Sequence, residues 1–203
     1  MAHVADDPVS GGNYKSLLEK HGLIRWLMNP AVEHARLQQP SIRYHDGAGE
    51  PHRYTGDLLV EHFPRVGRRP LVIEFKYKKK LEDEPELKMK HEAVGRAFDR
   101  YGHDFEVQTE DDVYAPGFEM MKFVYGYRNN QAHAASREIT TRVVRNPGIS
   151  IEELVKTLRC ERMAQLELVA EVWRLVAVRE LTSDFLKVFD NATKLYPGVA
   201  LLK

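Results

Sequence analysis

Only one cysteine, Cys160, occurs in 203 residues. Intramolecular disulfides are therefore excluded, and the usage fits a reducing cytoplasm. No apolar run approaches the roughly 18 residues that span a bilayer, so no membrane association is expected. The opening segment "MAHVADDPVSGGN" lacks the apolar core of a signal peptide, and residues 1–12 are expected to form a short flexible arm. An excess of one charge is also missing: 30 Lys and Arg stand against 30 Asp and Glu, with a pI of about 7.1. Domains that coat nucleic acid by charge alone are strongly basic, so that class is disfavoured. A nuclease whose carboxylates offset a local basic patch is not. There is no low-complexity tract, and 43% hydrophobic with 30% charged residues is a globular composition. The length suits one full core plus a smaller appended domain.

Along the chain, Asn13 is positioned as an N-cap for "YKSLLEKHGLIRWLM", which Asn29-Pro30 should end. Gly22 weakens that helix slightly. "SIRYHDGAGEPHRYTGDLLVEH" contains two alternating runs around a turn-rich "DGAGEP" and reads as a hairpin. "RPLVIEFKY" is nearly continuously apolar, as expected of a central strand buried on both faces. A charged stretch leads to a helix over about 86–101, with Leu87, His91, Val94, Phe98 and Tyr101 on one side. "HDFEVQT" supplies a further strand, "TEDD" starts a helix, and "GFEMMKFVYGYRNN" is helical and aromatic-rich. The sum is an α/β core with a mixed sheet over residues 13–130.

All nine histidines lie at or before residue 133, and the texture changes there. "GISIEELVKTL" carries a capping box, Ser150 with Glu153. "ERMAQLELVAEVWRLVAV" is a second amphipathic helix. Residues 131–203 are expected to form a small winged helix-turn-helix domain. His91 and Trp173, Met163 and Cys160 read as core residues, and His133 shows no metal-ligand spacing, which argues against zinc.

Two charges are out of place. "YTGDLLV" (54–60) reads as an ordinary strand with Asp57 in its middle, and the next strand carries Glu74 followed by Lys76. Residues two apart in a strand share a face, so Glu74 and Lys76 project together. Asp57 lies 17 residues upstream, a span that fits one strand, a turn and the start of the next. Two carboxylates on neighbouring strands could grip one hard cation through oxygen, for which magnesium is suited. The competing reading has Asp57 capping a strand and Glu74 with Lys76 on a solvated face. Unpaired charge in apolar strands is expensive, which weighs against it.

These residues carry a family resemblance. "GD…EFK" resembles the D…(D/E)-x-K core of the PD-(D/E)XK nucleases, whose fold is restriction-endonuclease-like. "SLLEKHGLIRWLMNPAV", "QQP", "YTGDLLV", "VIEFK" and "GHDFEVQTEDDV" together resemble the TnsA family of transposon endonucleases. One departure is Gly56, where the family has proline; glycine is permissive there. The resemblance implies Asp57 and Glu74 as metal ligands, with the Phe75 backbone carbonyl completing the shell. Glu19 would be a third carboxylate, direct or through water; otherwise it is an exposed charge paired with Lys15 or Lys20. Lys76 would orient the attacking water. It further implies two Mg2+ per site, with Mn2+ able to substitute, and cleavage of double-stranded DNA at the 5′ ends of an element. A TnsB-like DDE transposase and a TnsC-like ATPase, the latter on the C-terminal domain, would be partners. The location would be the bacterial cytoplasm, on the nucleoid when assembled. The alternatives are a stand-alone repair or defence nuclease, or a non-catalytic DNA-binding assembly module.

Arg65, Arg68, Arg69, Lys78, Lys79 and Lys80 bracket the active strand. They are candidates for DNA phosphate contacts, or else a lysine-protected strand edge. Gln39 either bonds near the scissile phosphate or caps the turn before Pro40.

Overall fold

In the computed structural model, which describes residues 14–158 and 162–201, Ser16 rather than Asn13 caps the first helix. Helix α1 (Leu17–Leu27) starts where the Ser16 hydroxyl accepts the Glu19 N–H. The expected arm at 1–12 and the packing of Cys160 and of the Met163 side chain lie outside the described residues. Two compact units divide at Ala115/Pro116.

In the first unit, α1 is followed by β1 (Val32–Leu37), β2 (Ser41–His45), β3 (Pro51–Thr55), β4 (Leu58–His62) and β5 (Leu71–Phe75). Then come α2 (Lys78–Asp83), α3 (Glu86–Arg100), β6 (Asp104–Gln108) and α4 (Glu110–Val113). The sheet order is β1-β4-β5-β6, with β5 and β6 parallel and the other pairs antiparallel. This is the expected mixed sheet of a restriction-endonuclease-like α/β fold. Every residue of β5 is buried, as a near-continuous apolar run in a central strand requires.

Two local expectations are corrected, and between them stands one strand that the sequence did not suggest. The stretch 54–60 is not one strand: β3 ends at Thr55, β4 begins at Leu58, and β3 pairs with β2 in a separate two-stranded sheet. The reason is Gly56, where an added Cβ would lie 2.3 Å from Val72 Cγ1 and 3.2 Å from the Gln39 carbonyl. Glycine at 56 is thus demanded by close approach. Strand β1 pairs with β4 in a segment that shows no clean alternation; its buried residues Val32 and Ala35 are three apart, with a register shift between Val32 and His34. Second, Tyr101 is 59% exposed. The apolar stripe of α3 is instead His91, Ala93, Val94, Ala97 and Phe98. It packs on Ile42, Tyr44 and Tyr54 of the hairpin and Val72 of β5.

On the other side of the sheet, α1 crosses β5 so closely that a Cβ at Gly22 would lie 2.2 Å from Phe75 Cζ. Gly22 therefore serves packing, and the helix tolerates its low propensity for that reason. Gly22→Ala is expected to cost about 3 kcal/mol by overpacking, read as a lower melting temperature. Because Phe75 lies between Glu74 and Lys76, the displacement also disturbs both. Adding Phe75→Leu, which removes the clashing ring end, should recover part of the loss; no recovery would contradict this account.

The second unit contains α5 (Phe118–Tyr125), α6 (Ser136–Arg145), β7 (Ile149–Ser150), α7 (Ile151–Thr157), α8 (Arg162–Ala177), β8 (Leu181–Thr182) and β9 (Lys194–Pro197). Its strands form a sheet of order β7-β9-β8 with antiparallel pairs. Residues 116–130 fall in this unit, because Phe118, Val124 and Tyr125 are buried and Phe123 meets Trp173 edge-on at 5.9 Å. Trp173 is buried and stacks on Phe189 at 4.9 Å. The Ser150–Glu153 capping box opens α7. Glu171 and Arg174, both buried, pair at 2.7 Å while Glu171 accepts the Ser136 hydroxyl.

Candidate active site

The break at Gly56 places Asp57 at a seam between the hairpin and the main sheet. Its backbone N–H donates to the Ile73 carbonyl at 3.0 Å, and its carbonyl accepts the Gln38 N–H at 2.8 Å. The β4–β5 register runs to Leu58 opposite Ile73 and breaks at Asp57, whose N–H bonds the Ile73 carbonyl. The Asp57 carboxylate reaches the Phe75 N–H at 2.9 Å. It thus caps a strand N–H, and it lies close enough to Glu74 to feel its charge.

Both carboxylates are buried, at 8% and 7% exposure. Lys76 lies just past the end of β5, and its ammonium donates to Glu74 Oε1 and, at 3.2 Å, to the Phe75 carbonyl. Those are two of the groups that the family resemblance assigns to a cation. Burial, then the fields of Glu74 and Glu19, push the Asp57 carboxyl up to about 7, against the lowering by the Phe75 N–H and Lys76. The locus is short of positive charge.

Glu19 is not an exposed charge: it is 6% exposed. Its carboxylate accepts the Lys15 N–H at 2.9 Å and the Ser16 hydroxyl at 3.2 Å. Among the described residues each oxygen accepts one hydrogen bond. Helix α1 is tied down by Trp26 Nε1 to Gln108 Oε1 (3.0 Å), Arg25 to the Ala115 carbonyl (3.2 Å) and His21 with the Tyr114 hydroxyl (3.1 Å).

Among the described residues, no three His, Cys, Asp or Glu side chains stand ready-made around a cation. The donor chemistry nevertheless fits a hard divalent ion: oxygen ligands, buried, mutually repelling, with Lys76 the cation bonded to them among the described residues. Seating an ion between Glu74 and the Phe75 carbonyl requires the Lys76 ammonium to move aside.

One neighbour, Tyr54, escaped sequence reasoning, while His91 is buried as expected. Tyr54 is buried on the α3 side, its hydroxyl without a hydrogen bond of ordinary geometry, and burial followed by the Glu74 charge drives its pKa far upward. Its inward place in an alternating strand was the available signal. His91 is buried against the Phe105 ring at 6.1 Å, and burial lowers its pKa, partly countered by Glu74.

The basic candidates separate. Arg69 clamps the end of α3 through Asp99, Gly102 and His103. Arg65 lies over the Phe63 ring at 4.8 Å, and Arg68 is exposed. Lys78, Lys79 and Lys80 sit on α2, not on a strand edge, and pair with Asp111, Asp83 and Glu84. Gln39 is exposed, and its neighbour Gln38 supplies the backbone bond to Asp57. His133 bonds locally to the Ala135 N–H.

A mixed sheet with a central E-x-K strand and a buried aspartate beside it is consistent with a restriction-endonuclease-like fold. Residues 29–110 match the family model for the TnsA-like endonuclease N-terminal domain. The N-terminal unit is accordingly a TnsA-like endonuclease domain. The matched segment holds Asp57, Glu74 and Lys76, and Glu19 precedes it. No curated protein matches the chain. Among the described residues, no helix is long and apolar enough to cross a membrane.

Proposed function

We propose that the protein is a Mg2+-dependent DNA endonuclease, with Mn2+ as a substitute, that cuts the 5′ ends of a transposable element. The observation that carries the reading is the seam that brings buried Asp57 within the field of buried Glu74, which is bonded to Lys76, inside a TnsA-like domain. Asp57, Glu74 and the Phe75 carbonyl would hold the cation, with Glu19 nearby. A bound divalent ion polarises a phosphoryl oxygen and lowers the pKa of its water. Lys76, freed from Glu74, orients the attacking water and offsets charge on the phosphoryl oxygens. Tyr54 and Phe105 close the α3 side, keeping the carboxylates out of bulk water.

A helix pair followed by the β8–β9 hairpin supports reading the second unit as a winged helix, with the 183–193 loop as its wing. That unit would dock a TnsC-like ATPase, while a TnsB-like DDE transposase processes the 3′ ends. Zero net charge suits an enzyme whose partners supply much of the DNA affinity. The test maps nicks on transposon-end DNA, with Mg2+ and both partners present, for the wild type and Asp57→Ala. Cuts at the 5′ ends that vanish in the variant are expected; cuts that persist would overturn the reading.

A further inference from the structure

The exposed face of the β2–β3 hairpin sets Arg43 directly opposite Arg53. Like charges facing each other across an antiparallel pair destabilise it. Neither guanidinium is ion-paired among the described residues; the nearby turn carboxylate, Asp46, is held by His52 and the Ala48 and Glu50 N–H groups. Protection of a strand edge calls for a charge, but not for two facing ones. The pair also lines a concave groove of about 460 Å3, completed by Pro40, Ser41, Tyr101 and His103. Tyr101, which left the apolar stripe of α3, is exposed there.

The hairpin is rooted at the catalytic seam, since the Pro40 carbonyl accepts the Gly56 N–H at 3.3 Å and Gln38 bonds Asp57. Arg53 is four residues from Asp57, up to about 14 Å along an extended strand. Phosphates of one strand recur every ~3.4 Å along a duplex. A duplex with its scissile bond at Asp57 would therefore bring a backbone phosphate to the groove within about four nucleotides.

We propose that the Arg43–Arg53 groove is a phosphate clamp for duplex DNA, holding the backbone beside the cleavage site. This rests on the endonuclease reading. Arginine forks suit phosphate geometry, and such contacts set position rather than sequence. Binding is read by fluorescence anisotropy in EDTA, with the full chain and a labelled duplex, between roughly 50 and 200 mM salt. Arg43→Ser/Arg53→Ser is expected to bind about tenfold more weakly or worse, with a salt slope shallower by about two. Its melting temperature should be unchanged or higher, which a structural role would not allow, and the double Lys variant should keep the slope. Unchanged affinity and slope would overturn the clamp, as would a wild type that does not bind, or displacement of the duplex by poly-glutamate at equal charge. Binding in EDTA reports the clamp alone, while the catalytic reading is tested by nicking in Mg2+, so failure of the clamp and failure of the catalytic reading are told apart.

Discussion

Asp57→Asn is expected to raise the melting temperature of the cation-free protein at pH 8 while abolishing DNA cleavage. An asparagine oxygen can still accept the Phe75 N–H, so the cap survives. What disappears is a buried negative charge within the field of Glu74. Burial and the Glu74 and Glu19 fields hold the Asp57 carboxyl at about 7 in the folded chain, against about 3.9 when unfolded. Between those values the unfolded chain releases the proton and the folded one keeps it. Stability from this group is therefore complete below pH ~4, falls as pH rises to ~7, and is flat above. The penalty removed at pH 8 is on the order of 2–4 kcal/mol. Thermal melts of both proteins at pH 5 and pH 8 in EDTA check it. The variant should gain at pH 8 and roughly a third as much at pH 5; a variant less stable at pH 8 would contradict a charge-deficient site.

Lys76→Met should act with the opposite sign. Among the described residues the lysine is the one cation bonded to Glu74, and their side chains are 23% and 10% exposed. Removing one partner of a largely buried pair leaves an uncompensated charge, at roughly 3 kcal/mol here. The cation-free variant should melt well below the wild type, and millimolar Mg2+ or Mn2+ should restore most of the difference. The wild type, whose lysine already sits against Glu74 and the Phe75 carbonyl, should gain less from the same ions. Cleavage should stay lost despite the restored stability, because nothing then orients the water. A variant as stable as the wild type without ions would show that Lys76 does not balance the carboxylates.

Why the sequence disclosed some of this and not the rest follows from particular residues. The central strand was legible because "LVIEF" is apolar on both faces, and a charge within such a run has few explanations. The Ser150–Glu153 box declared its helix in the same local way. Strand β1 was hidden because "VEHARL" buries residues three apart around an irregularity. The seam at Asp57 was hidden because the space that forbids a side chain at Gly56 is filled by Val72, 16 residues away. The residues around Glu19 alone allow an exposed charge beside Lys15 or Lys20, and only the family resemblance put it in the site; α1 is pressed onto the sheet through Gly22 and the carboxylate is buried with it. The Arg43–Arg53 opposition depends on register, which alternation alone does not fix.

The central claim is that Asp57 and Glu74 together hold a divalent cation. Calorimetric titration of Mn2+ and Mg2+ into the wild type, Asp57→Ala and Glu74→Ala tests it most directly. The account predicts binding to the wild type that is lost in both variants. Undiminished binding to either variant, or none to the wild type, would contradict it.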